Sequence, residues 1–320
     1  RSRRFMGMEN GDEAKDVSII IPVLNEEENL HPLIDEITET MKDKEYEIIF
    51  VDDGSTDDTV KILKDIRSNN SHVRIHKLKR NYGKAIAMAV GFDIARGKTS
   101  ITMDGDLQDD PAEIPRFLAS IAEGNDIVCG WRAKRNDNIF KRWPSKIYNK
   151  MSRKIAGVKI HDMNCGFKAY NTELACSLNL YGDMHRYTPV LGHMNGAKVS
   201  EIVVNHRRRI HGKSKYGAKR IMRGLIDLIT VGFLFSFLER PLHFFGRIGT
   251  LISLIGFAIC SYLVSLKYIY GEGIGDRPML MLGVLLITTG IQLFMLGLLG
   301  ETIVYRSSEN RQLRFYGKEL

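Results

Sequence analysis

Asp104-Gly-Asp106-Leu-Gln108-Asp-Asp-Pro111 follows the apolar run Ser100-Ile-Thr-Met103 without a break. Two carboxylates one residue apart at the end of a strand offer hard oxygen ligands at a sheet edge. That arrangement suits a divalent cation that also holds a diphosphate, and so a metal-assisted nucleotide-sugar site. The competing reading is an Asp-rich turn capping the helix that Pro111 begins. Two other polar clusters close apolar runs in the same way, Pro22-Val-Leu24-Asn-Glu26 and Asp52-Asp53-Gly-Ser-Thr-Asp57. Taken singly, Asn25 with Glu26 to Glu28 could cap and charge a helix, and Asp53-Gly-Ser-Thr could be a turn. Taken together, Pro22, Leu24 and Glu26 form one wall of a base and ribose pocket, and the Asp53 carboxylate accepts from a base N–H or from ribose hydroxyls.

The elements that would position these groups are legible as short apolar runs alternating with helical patterns. Val17 to Pro22 precedes a helix over 30–41, Glu47 to Val51 precedes 56–67, Val73 to Leu78 precedes 84–95, and Thr99 to Met103 precedes 111–122. Runs without polar alternation predict strands buried on both faces, hence a doubly wound, mostly parallel α/β sheet. Ligands in such sheets sit beyond the carboxyl ends of the strands, where all three clusters fall. A dinucleotide fold is excluded because no G-x-G-x-x-G follows the first strand.

The 320 residues are 44% hydrophobic and 26% charged, enough for one large soluble domain with sequence to spare. The remainder reads as membrane. Ile248 to Leu266 is free of charge over 19 positions and Met279 to Gly300 over 22, each enough to cross ~30 Å of hydrocarbon as a helix. Lysines and arginines crowd both flanks of this hairpin, from Lys213 to Arg247 and from Arg306 to Lys318, whereas the connector 268–278 has only Arg277 against Glu272 and Asp276. Both termini and the catalytic domain are therefore expected to be cytoplasmic. Residues 221–238, apolar but interrupted by Arg223, Gly224 and Asp227, suit an amphipathic juxtamembrane helix. The expected division is a disordered leader over 1–16, a catalytic domain over 17–217, an interfacial region over 218–241, a transmembrane hairpin over 242–305 and a tail over 306–320. Cys129, Cys165, Cys176 and Cys260 show no C-x-x-C spacing, so neither a zinc site nor a disulfide framework is indicated. The net charge of +8 comes with no nucleic-acid recognition motif. Anionic membrane lipid is the expected partner of the basic segment, and nucleic acid is not.

P-V-L-N-E-E, V-D-D-G-S-T-D-D-T, R-N-Y-G-K and D-G-D-L-Q-D-D-P, in this order and on these elements, resemble the GT-A fold of family 2 glycosyltransferases. With the hairpin after H-G-K-S-K-Y-G, the chain is similar to the membrane-anchored polyprenyl-phosphate glycosyltransferases over roughly residues 17 to 305. That group contains dolichyl-phosphate mannose synthases and bacterial undecaprenyl-phosphate glucosyl or aminoarabinosyl transferases. The resemblance implies that Pro22, Leu24, Glu26, Val51 and Asp53 contact the nucleoside of a UDP- or GDP-linked sugar. It implies further that Asp104, Asp106 and Gln108 surround Mg²⁺ or Mn²⁺ and the donor diphosphate, and that Gly105 lets the backbone approach the nucleotide. Arg132, and Arg209 and Lys215 of the R-x-x-G-x-S-K pattern, would neutralise donor and acceptor phosphates. Arg207 and Arg208 are either part of that machinery or a lipid-surface patch.

One departure bears on the chemistry. Several relatives have an aspartate, proposed as a base, before the aromatic residue of a T-G-D-F-R pattern, whereas this chain reads Asp162-Met-Asn-Cys-Gly166-Phe-Lys168. Asp162 is the nearest carboxylate, either a base or a support of its loop. Lys84 begins a helix, where an ammonium is disfavoured by the dipole, and so is either a ligand contact or a solvated side chain. His161, His185, His193, His206 and His211 show no ligand spacing and are expected to be structural or solvent-facing. The resulting expectation is an inverting transfer of one hexosyl unit to a polyprenyl phosphate at the cytoplasmic membrane face, by a protein that could be a homo-oligomer. A polysaccharide-extending synthase lacks support because no Q-x-x-R-W is present and two spans are too few for a channel. A non-turnover nucleotide-sugar scaffold is the alternative from another class.

Overall fold

The computed structural model describes residues 15–133, 160–178, 180, 182, 184–207, 241–271, 273–275 and 277–312, with side chains to Val304 in the last stretch. The chain falls into two compact units, Arg1–Gly224 and Leu225–Leu320. The boundary expected at 217 and the juxtamembrane helix expected over 221–238 fall on residues 208–240, outside the described residues.

In the first unit, strands β1 (Val17–Val23), β2 (Tyr46–Asp52), β3 (Val73–Lys77), β4 (Thr99–Thr102), β5 (Ile127–Trp131), β6 (Lys168–Asn171) and β7 (Val199–Val203) form one sheet in the order β3-β2-β1-β4-β6-β5-β7. All pairings are parallel except those that β6 makes with β4 and β5. Every residue of β2 and all but Pro22 of β1 are buried, the consequence of helices lying on both faces. Helices α1 (Leu30–Met41), α2 (Thr59–Asn69), α3 (Lys84–Ile94) and α4 (Ile114–Ala122) return the chain between the first five strands; α5 (Thr172–Ser177) and α6 (Thr188–Met194) follow β6. The amphipathic spacing of α1 buries Leu30, Leu33, Ile34, Ile37 and Met41 against β1 and β2 in one continuous core.

The expected elements are present, with two shifts. Helix α2 starts at Thr59 rather than near 56, because residues 55–56 are bonded across to the β1–α1 loop: Asn25 N donates to Ser55 Oγ (2.9 Å) and Thr56 N to Asn25 Oδ1 (2.8 Å). Pro111–Glu113 is a 3₁₀ turn capped by the Asp110 side chain, and α4 proper begins at Ile114. At the amino ends of the strands the buried Glu47 carboxylate accepts from Ser18 Oγ, Arg74 and Arg96 N. That end of the sheet is closed. The opposite end, where strand order diverges from β1 to β2 and β4, carries the acidic clusters.

The second unit is a pair of antiparallel helices, α7 (Pro241–Tyr270) and α8 (Pro278–Gln312). Both are long and apolar enough to cross a membrane, and little of either is buried. Their contact is backbone on backbone. Gly249 and Gly256 of α7 face Gly290 and Gly283 of α8, so that a Cβ on Gly290 would fall 2.2 Å from Ser253 Oγ and 2.5 Å from the Gly249 carbonyl oxygen. Spacings of seven keep these glycines on one seam, and close approach supplies the dispersion energy that lipid-embedded helices depend on. Glu301 secures one end by accepting from Leu242 N (3.2 Å) in the first turn of α7, where the helix dipole favours an anion. Gly290→Val should therefore force the helices apart at a cost of ~1–3 kcal/mol or more, as overpacking does. Leu285→Val, at a position 59% exposed, should be neutral. Equal melting temperatures for the two variants in detergent would contradict this seam.

Candidate active site

The site lies at the carboxyl ends of β1, β2 and β4. The loop after β4 turns sharply through Leu107, a non-glycine residue in the left-handed region (φ 61°). Such a conformation costs ~1–2 kcal/mol, but Leu107 is only 2% exposed and packs in the core, and burial of a leucine contributes ~1.5–3 kcal/mol. Burial wins, and it pins the two residues on either side: Gln108 N donates to Asp106 Oδ1 (3.2 Å). Asp109 turns back to accept from Asp104 N (3.1 Å).

Three carboxylates are thus folded together. Asp106 is 6% and Asp109 4% exposed, so Asp106 is buried and not at an open, solvent-facing sheet edge as the strand-end position suggested. Burial, with the charges of Asp104 and Asp106, pushes the Asp109 carboxyl up to about 7. Asp104 is held below the usual carboxylate range: burial opposes its charge, but Lys84 outweighs it. The Lys84 ammonium is paired directly with Asp104 Oδ1. Lys84 is thus a counter-ion of Asp104, which accounts for a cation at a helix start. The helix start is fixed in turn by Asp53, whose two oxygens accept from Tyr82 N (2.7 Å) and Gly83 N (2.9 Å). Neighbouring Asp52 leaves one buried oxygen, Oδ2, with no hydrogen-bond partner among the described residues.

No cluster of three or more His, Cys, Asp or Glu side chains has metal-binding geometry among the described residues. The donor chemistry nevertheless fits a hard divalent cation of the Mg²⁺ type, which takes one or two protein carboxylates and completes its shell with substrate phosphates and water. The Asp109 carboxyl, raised to about 7 by burial first and by the charges of Asp104 and Asp106 after it, sits within this acidic group. Gln108 directs its Nε2 at the Arg207 carbonyl (3.4 Å). A Cβ on Gly105 would lie 3.1 Å from Val23 Cγ1, a tight contact with β1.

Arg132 and Asp162 form a two-point ion pair, Arg132 Nε to Oδ2 at 2.7 Å and Nη2 to Oδ1 at 3.1 Å, with side chains 16% and 4% exposed. Beside it, burial pushes the Cys165 thiol up to about 12, so this cysteine is inert. Gly166 packs on the loop after β4: a Cβ would lie 2.7 Å from Asp104 Oδ1. Gly166→Ala should displace the Asp104 carboxylate and weaken Mn²⁺-dependent nucleotide binding roughly 10-fold, a loss of ~1.4 kcal/mol, with metal-free nucleotide binding unchanged. An unaltered Mn²⁺ titration in that variant would show that Asp104 needs no such clearance.

Two groups escaped the sequence reading. Arg207 is no free lipid-facing cation; it donates to Glu36 Oε2 (2.7 Å) on α1 and to Asp110 Oδ1 (2.7 Å). Its N–H also donates to Gln108 O (2.8 Å), and His206 bridges to Asp109, so this segment and the loop after β4 run side by side. His185, expected to be merely structural or solvent-facing, sits in the turn Met184–Arg186 that packs on α3. Burial, Lys84, Arg186 and Lys168 push its imidazole down to about 2, and the buried Nδ1 has no hydrogen-bond partner among the described residues. His161 stacks on Trp131 and pairs with Glu201, a structural role. Pro22 and Val51 close β1 and β2, with Leu24 and Glu26 on the loop above, and Glu26 N donates to Thr59 Oγ1 (2.9 Å). Arg208, Arg209, His211 and Lys215 lie outside the described residues.

Comparison with known proteins agrees with this architecture. The family model described as glycosyl transferase family 2 matches residues 18–177. A dodecaprenyl-phosphate galacturonate synthase of Rhizobium johnstonii is 39% identical over 295 residues, 90% of this chain and 87% of the relative. An undecaprenyl-phosphate 4-deoxy-4-formamido-L-arabinose transferase of Pseudomonas fluorescens is 36% identical over 289 residues, 89% of this chain and 83% of the relative. Among solved structures, glucosyl-3-phosphoglycerate synthase from Mycobacterium tuberculosis in complex with Mg²⁺ and UDP superposes with a TM-score of 0.51 at 21% identity, covering 67% of this chain and 79% of that one. The last likeness is one of fold, the GT-A fold. With the motifs on the strand ends, the matched span and the full-length relatives all in agreement, the chain belongs to glycosyl transferase family 2.

Proposed function

We propose that this protein transfers one sugar unit from a nucleotide-diphosphate sugar to a polyprenyl monophosphate, with inversion, at the cytoplasmic face of the membrane. The observation that carries the reading is the cluster of Asp104 with the buried Asp106 and Asp109 at the strand divergence, in a chain that also bears an apolar helical hairpin. The relatives' names supply the acceptor class, and the cationic flanks of the hairpin support the orientation.

The residues divide the work. Pro22, Leu24, Glu26, Val51 and Asp53 frame the nucleoside. Asp104, Asp106 and Gln108 would hold Mg²⁺ or Mn²⁺, which supplies Lewis-acid stabilisation of the departing diphosphate. Arg132, Arg209 and Lys215 meet phosphate oxygens, and Asp162 holds the Arg132 fork in place. In the reaction an acceptor phosphate oxygen forms the new bond to the anomeric carbon while the donor C–O bond breaks, its electron pair leaving with the nucleoside diphosphate. A phosphate monoester has its second pKa near ~6, so at neutral pH the attacking oxygen has no proton to lose. Positioning two anions at one carbon is the demanding step, not general base catalysis.

The test is transfer of radiolabelled sugar from UDP- and GDP-linked donors to polyprenyl phosphate in proteoliposomes with Mn²⁺ or Mg²⁺. Lipid-linked product should form, and the rate should rise with pH through ~6 as the acceptor loses its second proton. Donor binding without lipid-linked product under any of these conditions would leave only the scaffold reading.

A further inference from the structure

The trailing half of the acidic loop after β4 is held from one neighbouring stretch of chain. Asn205 to Arg207 follow β7 and run antiparallel to the loop, with His206 bridged to Asp109 and Arg207 N donating to Gln108 O (2.8 Å). Asp110 is taken by side chains: Arg207 Nη2 donates to its Oδ1 (2.7 Å) and Asn205 Nδ2 to its Oδ2 (2.9 Å). The other arm of the guanidinium, Nη1, reaches both oxygens of Glu36 on α1 (2.8 and 2.7 Å). One planar fork thus spans from helix to loop, a task for which the point charge of a lysine is unsuited.

Magnitudes separate holding the fold from holding the site. The Arg207 and Glu36 side chains are 34% and 37% exposed, and ion pairs so open to water contribute little to stability. Orientation is another matter. The charges of Asp104 and Asp106 act against that of Asp109, so an acidic loop of this kind tends to open unless something closes it. Burial of Leu107 pins the leading half. Gln108, Asp109 and Asp110 bring no apolar side chain, and their anchor is the segment that Arg207 ends. Helix α1 also packs on the Pro111–Glu113 turn and begins just beyond the Pro22 to Glu26 loop, so the fork joins the acidic loop to the element that carries the nucleoside wall. A misplacement of ~1 Å from a change far from the chemistry can cost ~10²-fold in rate. A contact of little weight in stability can therefore weigh heavily in function.

We infer that Glu36 and Arg207 are positioning residues, which act through Asp110 and Gln108 to set the loop whose Asp104, Asp106 and Gln108 would hold the divalent cation. The inference rests on the metal site proposed above. Asp110 is a link and not a ligand: its Oδ1 also accepts from Ala112 N (3.2 Å), so both of its oxygens are spent within the protein.

The experiment titrates Mn²⁺ into the full-length protein in nanodiscs with UDP or GDP, reading nucleotide binding by thermal shift. Glu36→Gln removes the anion on α1, and Arg207→Lys keeps the cation but not the fork. Each should raise the half-saturating Mn²⁺ concentration roughly 10-fold, while nucleotide binding without metal stays at the wild-type level. The melting temperature of the unliganded protein should move by no more than about 4 °C. Glu39→Gln, on the same helix but paired with Lys42 (3.0 Å), should match wild type throughout. Wild-type Mn²⁺ titrations in both Glu36→Gln and Arg207→Lys would overturn the inference and leave the metal site standing. An equal loss of metal-free nucleotide binding would also overturn it, because the pair would then serve the fold alone. A wild type whose nucleotide binding ignores Mn²⁺ would remove the metal site and the inference with it. Shifted titrations in both variants, in a protein that transfers no sugar, would sustain the positioning role and sink the reaction.

Discussion

Asp106→Asn should lower the rate of sugar transfer by ~10²–10³-fold, the range seen when one preorganised electrostatic contact to the developing charge is removed. It should do so in a protein that is folded and no less stable than wild type without metal. Asparagine keeps an oxygen for the Gln108 N–H, which Asp106 Oδ1 now accepts at 3.2 Å. The change also removes one of the two carboxylates that, with burial, raise Asp109 to about 7. The difference appears on adding Mn²⁺ and donor: at 100 times the dissociation constant, wild type gains ~2.7 kcal/mol of stability, and the variant gains almost nothing. Metal-dependent stabilisation and turnover at wild-type levels in Asp106→Asn would remove this carboxylate from the metal site.

Arg132→Ala is expected to be more damaging than Asp162→Asn, an order opposite to the one a catalytic base would give. Removing Arg132 strands a carboxylate that is 4% exposed, and an uncompensated buried charge costs ~3–5 kcal/mol. It also takes away the Arg132 Nη1, the part of the guanidinium that Asp162 does not engage and that is proposed to meet phosphate. Asp162→Asn retains an oxygen toward Arg132 and should lose less than the ~10²–10⁴-fold typical of a missing base. Measuring kcat, both KM values and melting temperature for the two variants separates the cases. A stable Asp162→Asn protein with normal KM values and kcat reduced by more than that range would make Asp162 the base.

The frame of the molecule is legible in sequence because it is written locally. Val17 to Val23 and Tyr46 to Asp52 declare buried parallel strands by having almost no polar alternation, and Asp104 to Asp110 falls at a strand end by simple adjacency. What escaped is written at long range. Arg132 meets Asp162 across 30 residues and Arg207 meets Glu36 across 171, and no periodicity reports such a pair. Lys84 looked ambiguous because its counter-ion lies 20 residues on, beyond another strand. His185 was read as structural or solvent-facing for want of a metal-ligand spacing, and nothing local in Met184 to Leu191 reports its burial beside Lys84 and Lys168.

The glycine seam of the hairpin also limits how this protein can move. Where side chains interdigitate, helices can slide by a turn and find new holes; where carbonyl oxygens sit against glycine Cα atoms, every neighbouring register brings a side chain onto backbone. Gly249 against Gly290 and Gly256 against Gly283 therefore act as two dowels about seven residues apart. The hairpin is a rigid mast, able to tilt or turn in the bilayer as one body but not to shear. Sliding of these two helices past one another is therefore not a motion available to a catalytic cycle.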